Sequence, residues 1–71
     1  MPNYIVNRNA QPGSRDHEVH NADSGCQYMP TWSNQIALGN FSSCSGAVQA
    51  AQNYYSDVNG CYYCANDCHT T

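Results

Sequence analysis

Apolar and polar residues alternate only in short stretches along this chain, and the stretches differ in period. Tyr4-Ile5-Val6-Asn7 is aromatic and β-branched and predicts a first strand. Gln11-Pro12-Gly13-Ser14 is a strong turn signal. His17-Glu18-Val19-His20 predicts a second strand, so that the two form a β-hairpin with a loose polar loop. Alternation in that strand puts Glu18 and His20 on one face and His17 and Val19 on the other. Asn21 to Gly25 reads as a turn that delivers Cys26. Gln35-Ile36-Ala37-Leu38-Gly39 predicts a short third strand, followed by Phe41 as an apolar anchor. Beyond Ser42 and Ser43, both good N-caps, the period changes. Cys44, Val48, Ala51 and Tyr55 fall at spacings of four, three and four, one face of a helix from about Cys44 to Tyr55. Gly46 weakens the first turn of that helix, and Asn59-Gly60 breaks the pattern and turns the chain.

Composition sharpens this picture. Seventy-one residues make a single domain, 1–71, with no internal repeat and no separate linker. Val, Ile, Leu and Phe number only eight in total, and a core that thin rarely holds a chain of this length without a staple. Eight large aromatics and a low density of charge argue against disorder. Five cysteines and three histidines are the staple candidates.

Cys61-x-x-Cys64 is the sharpest local motif, since two thiols three residues apart around a tight turn can share one tetrahedral ion. The other half of such a site must come from upstream. His20-x5-Cys26 is the best supplier, because a strand end and the following turn can aim both side chains at one point. The ligand set is therefore His20, Cys26, Cys61 and Cys64, three thiolates and one imidazole around zinc. The competing readings are a disulfide within Cys61/Cys64, a disulfide between Cys26 and a C-terminal cysteine, or free buried thiols. Cys44 reads as a small buried core residue, with a reactive thiol at the helix N-terminus as its alternative. Cys68 is open between a fourth thiolate ligand and a bridge to Cys44. Asp16, Glu18 and Asp67 are the carboxylates nearest a histidine in sequence, placed to orient a ligand imidazole or simply to be solvated. His17 and His69 read as exposed polar residues, or as the lining of a small surface beside the metal.

The fold class expected is a small α+β metal-stapled domain: a β-hairpin plus a short third strand, one helix and a C-terminal Cys-x-x-Cys knuckle. No catalytic residue is expected. His17-Glu18-Val19-His20 is one residue short of the helical His-Glu-x-x-His of zinc peptidases, and a fully ligated zinc has no open position. The function expected is that of a non-enzymatic binding module for a protein or small ligand, with a disulfide-stapled exported or host-facing protein as the alternative. Net charge is −3, there is no lysine, and Arg8 and Arg15 are the only cations, so neither nucleic acid nor an anionic membrane is an expected partner. Apolar runs are too short to span a bilayer, and Met1-Pro2-Asn3-Tyr4 does not open a signal peptide. A cytoplasmic location is the expectation, or a secreted one if a leader has been removed.

Val19-His20-x5-Cys26, Leu38-Gly39-x-Phe41, Ala47-x-x-Ala50-Ala51 and Gly60-Cys61-x-x-Cys64 together form a recognisable order. This order resembles the small Ada-like metal-binding module, also found as a tail on thermonuclease-like nucleases, over roughly residues 17–64. The chain is also similar to small bacterial proteins of unknown function that end in Cys-x-x-Cys-x3-Cys-His, here Cys61 to His69. The resemblance implies a short hairpin and one helix around a single zinc. Cys44, Cys68 and His69 lie outside the shared pattern, and Tyr62-Tyr63 stand where the Ada-like modules usually carry basic residues.

Overall fold

In the computed structural model, which describes residues 1–70, four strands form one mixed sheet with a single α-helix packed on it. The strands are β1 (Asn3–Asn7), β2 (His17–Asn21), β3 (Gln35–Asn40) and β4 (Val58–Gly60), and the helix α1 is Cys44–Ala51. Their spatial order is β3-β1-β2-β4. The expected hairpin is present: β1 and β2 pair antiparallel, with Ile5 opposite His20 and Val6 opposite Val19. β3 lies antiparallel on the other side of β1, with a register shift between Tyr4 and Ile5. The α+β class read from the sequence is thus the class of the fold.

Two elements differ from the sequence pattern. The regular helix ends at Ala51, and residues 52–55 continue as turns in which the N–H groups of Gln52 and Tyr55 still bond to the carbonyls of Val48 and Ala51. This keeps Tyr55 on the helical face without extending the helix. Val58-Asn59-Gly60, expected only as a break, forms β4 and pairs parallel with β2. The pairing continues into the C-terminal segment, where the N–H of Cys61 bonds to the carbonyl of Val19 at 2.9 Å.

Alternation along β1 and β2 sorts the sheet into two faces. Tyr4, Val6 and Val19 face α1 and pack with Ala47, Ala51, Cys44, Cys61 and Ala65 in one buried cluster. Three alanine and two cysteine members make this a core of small side chains. Each contributes far less than the roughly 1.5–3 kcal/mol of a buried Val, Leu, Ile or Phe. Gly46 has a packing reason: a Cβ there would lie 2.8 Å from the Phe41 ring, so glycine lets that anchor lie against the helix. Gly60 has a stronger one. A Cβ at that position would meet the Ala65 carbonyl oxygen at 2.7 Å and the Cys68 backbone at 2.8 Å. Only glycine allows the C-terminal segment to fold back so closely over the end of β4.

Candidate metal centre

His20 is the penultimate residue of β2, on the face opposite Val19, with 1% of its surface exposed. Burying an imidazole is costly unless both ring nitrogens find partners. After β2 the chain turns at once. Asn21 builds that turn: its side-chain Oδ1 accepts from the Asp23 N–H at 3.0 Å, and its carbonyl accepts the Ser24 hydroxyl at 2.7 Å. Gly25 follows with φ of +74°, a left-handed conformation that suits glycine, and the turn brings Cys26 back over His20. The other half comes from the segment after β4. There the Ala65 N–H bonds to the Cys61 carbonyl at 2.9 Å, closing a tight loop around Tyr62 and Tyr63. The backbone N–H groups of Tyr63 and Cys64 favour the ionised Cys61 sulfur and work against its burial. The N–H of Asn21 donates to the Cys64 sulfur at 3.3 Å. These are donors arranged to receive sulfur as thiolate.

The four ligand atoms of His20, Cys26, Cys61 and Cys64 all lie within 4.8 Å of one another. The Cys26 and Cys61 sulfurs are 3.8 Å apart, and Cys64 Sγ lies 3.5 Å from His20 Nδ1. A tetrahedral ion with bonds of about 2.3 Å to sulfur and about 2.0–2.1 Å to nitrogen requires sulfur–sulfur spacings of about 3.8 Å and sulfur–nitrogen spacings of about 3.5 Å. Both observed distances fit. This quartet can hold a metal ion. Its members are the four residues that the Cys-x-x-Cys spacing and the strand–turn reading bring together.

The far side of the imidazole matters equally. His20 Nε2 is buried with no hydrogen-bond partner within normal distance, and the nearest acceptor is Glu18 Oε1 at 3.6 Å. When Nδ1 serves as the ligand atom, Nε2 carries the proton and faces that carboxylate. Of the three carboxylates named from the sequence, Glu18 is the one beside the ligand histidine, as the alternation of β2 required. His17 and His69 do not join the cluster. His17 Nδ1 bonds to the Asn7 carbonyl at 2.9 Å and its ring stacks on Tyr55, while His69 Nδ1 bonds to the Gly60 carbonyl at 2.9 Å.

Electrostatics of the bare cluster favour neutral groups. Burial pushes the Cys61 thiol up, and burial with the neighbouring sulfurs pushes Cys64 up to about 12. Burial likewise lowers His20 below its ordinary value, which keeps the imidazole a neutral ligand. Three thiols meet here with a neutral imidazole and no lysine or arginine among them, and a divalent cation is the charge that would ionise them.

The remaining two cysteines are joined. Cys44, buried as expected of a core residue, is bonded to Cys68 across a sequence separation of 24. Sequence reasoning left this pair open among fifteen arrangements of five cysteines. It gave no sign of Asn59, which is buried and holds the C-terminal strand of chain: its side chain accepts from the Thr70 N–H at 2.8 Å and donates to the Thr70 carbonyl. Among known proteins, no family model matches the chain, and no curated protein or solved structure is similar to it.

Proposed function

We propose that this chain is a small zinc-stabilised binding module without catalytic activity, which presents an aromatic and amide-rich surface to a protein or small ligand. The observation that carries the reading is the quartet of His20, Cys26, Cys61 and Cys64, two members buried and two half-buried, with ligand atoms within 4.8 Å of one another and two spacings that fit a tetrahedral ion. Three thiolates and one imidazole are a common structural zinc set, and four protein ligands leave the ion no position for substrate. The same four residues carry the resemblance to the Ada-like module, which supports a single zinc in a small domain. The surface offered includes Tyr28 stacked on Tyr63 at 4.3 Å, with the Tyr62 ring edge-on to Tyr63, all three exposed. Nucleic acid is not the partner proposed. Arg8 and Arg15 can neutralise about two phosphates, and a zinc trithiolate adds one further negative charge to a chain already at −3. No described helix is long and apolar enough to cross a membrane.

The Cys44–Cys68 bridge favours a second reading, an exported or host-facing protein, because such bridges persist mainly in oxidising compartments. The thiol-rich metal site favours the cytoplasm. Native mass spectrometry of protein purified without added metal tests the primary reading. One retained zinc per chain is expected, and a zinc-free mass with Cys26, Cys61 and Cys64 all open to alkylation refutes it. Micromolar binding of DNA at about 150 mM salt would overturn the exclusion of nucleic acid.

A further inference from the structure

We propose that the Cys44–Cys68 bridge is a thiol–disulfide exchange site for small peptide thiols, in which Cys68 is the sulfur attacked and Cys44 the leaving thiolate. Three observations carry this. A cleft of about 520 Å³ opens directly on the bridge and is walled by both cysteines together with Tyr4, Ser43, Tyr63 and Asp67. This is the size range of small-molecule sites, and its walls offer hydroxyl and amide groups beside the single carboxylate of Asp67.

The two sulfurs are also unequal. Cys68 is half-buried at the end of a short 3-10 turn (Asn66–Cys68), whereas Cys44 is buried at 7% exposure. An incoming thiolate therefore reaches Cys68 first. The third observation is the helix end. Cys44 is the first residue of α1, and the preceding Ser43 makes no side-chain bond to the first-turn N–H groups. Its hydroxyl lies instead 2.8 Å from that of Ser45. The first-turn donors are left free to stabilise negative charge on the Cys44 sulfur, and a stabilised thiolate is the better leaving group.

The chemistry balances without another reagent. The thiolate of a peptide thiol attacks Cys68 Sγ, the S–S electron pair departs on Cys44 Sγ, and a mixed disulfide forms on Cys68. A second thiolate then attacks the peptide sulfur of that mixed disulfide and expels Cys68 as thiolate. Two peptide thiols are oxidised to one disulfide, the bridge is reduced to two thiols, and the two protons lost by the peptide thiols come to rest on the cysteines. The reverse sequence reforms the bridge from an oxidised peptide disulfide. Cys64 of the metal cluster lines the same cleft but takes no part in the bridge, so the exchange steps do not depend on which ion the cluster holds.

Exposing the zinc-loaded full-length chain to reduced glutathione, quenching with an alkylating agent and mapping the peptides tests it. The expected result is an early glutathione adduct on Cys68 at least about tenfold more abundant than on Cys44, with Cys26, Cys61 and Cys64 unmodified. An early adduct on Cys44, equal adducts on both, or a bridge that opens only in denaturant would overturn it. A Cys44→Ala chain supplies an independent measurement, since glutathione disulfide should then trap a stable adduct on Cys68. Failure of the zinc reading would instead show as alkylation of Cys26, Cys61 and Cys64 at time zero, leaving the Cys68-to-Cys44 ratio readable.

Discussion

Removing the metal and removing the bridge should cost this protein very different amounts. The bridge joins residues 24 apart, and the loop entropy it removes from the unfolded chain corresponds to about 3.5 kcal/mol at 25 °C. A Cys44→Ala/Cys68→Ala chain kept loaded with zinc should therefore remain folded and melt about 14–28 °C lower, since each kcal/mol shifts a domain of this size by about 4–8 °C. A structural zinc in a small peptide contributes about 10–16 kcal/mol. That equals or exceeds the whole stability of an ordinary domain, about 5–15 kcal/mol. The fully buried aliphatic side chains here are Val6 and Val19, with Ile5 nearly so, and cannot replace it. A strong chelator should unfold the chain even with the bridge intact. Trp32 is 86% exposed and a poor reporter, so the assay is far-UV circular dichroism together with the near-UV signal of buried Tyr4. Thermal scans would compare zinc-loaded, chelated and bridge-deleted protein. Identical melting of the chelated and loaded forms would refute the metal as staple. Equal losses from chelation and bridge deletion would refute the ranking of the two.

Three other outcomes follow from named contacts. Gly60→Ala should destabilise the zinc-loaded protein by about 1–3 kcal/mol in denaturant titration, because the new methyl meets the Ala65 carbonyl and the Cys68 backbone; an unchanged midpoint would show that the C-terminal segment yields freely. Glu18→Gln should weaken zinc binding by about 10–100-fold in chelator competition while the far-UV spectrum of the loaded form is kept, since the carboxylate beside His20 Nε2 is lost; unchanged affinity would remove Glu18 from the metal centre. Zinc affinity should rise with pH through neutrality, by about a hundredfold per unit from the raised thiols of Cys61 and Cys64, which hold two protons that the ion must displace; a flat profile in the same competition assay would contradict the thiolate set.

Local spacing made much of this molecule legible from its residues. The alternation of His17-Glu18-Val19-His20 put His20 and Glu18 on one face of a strand, and both now stand at the Cys/His cluster that could hold a metal. Cys61-x-x-Cys64 and the turn ending at Cys26 named residues that the structure gathers into one cluster able to hold a metal, because a motif of a few residues carries its own geometry. The face of Cys44, Val48 and Ala51 located the helix, and the shortage of aliphatic residues called for a staple. What the sequence could not decide is how distant segments meet. Val58-Asn59-Gly60 is too short to show a period, and it becomes a strand only because β2 offers it a free parallel edge. Asn59-Gly60 looked like a turn, yet glycine is required there by the chain folding back over it some five to eight residues later. Cys44 and Cys68 pair because α1 and the last turn are packed together, a contact with no trace in either segment alone. Side-chain spacing within a strand, turn or helix is set by backbone geometry over a few residues. The pairing of segments tens of residues apart is set by the path of the whole chain, and only the tertiary structure contains that path.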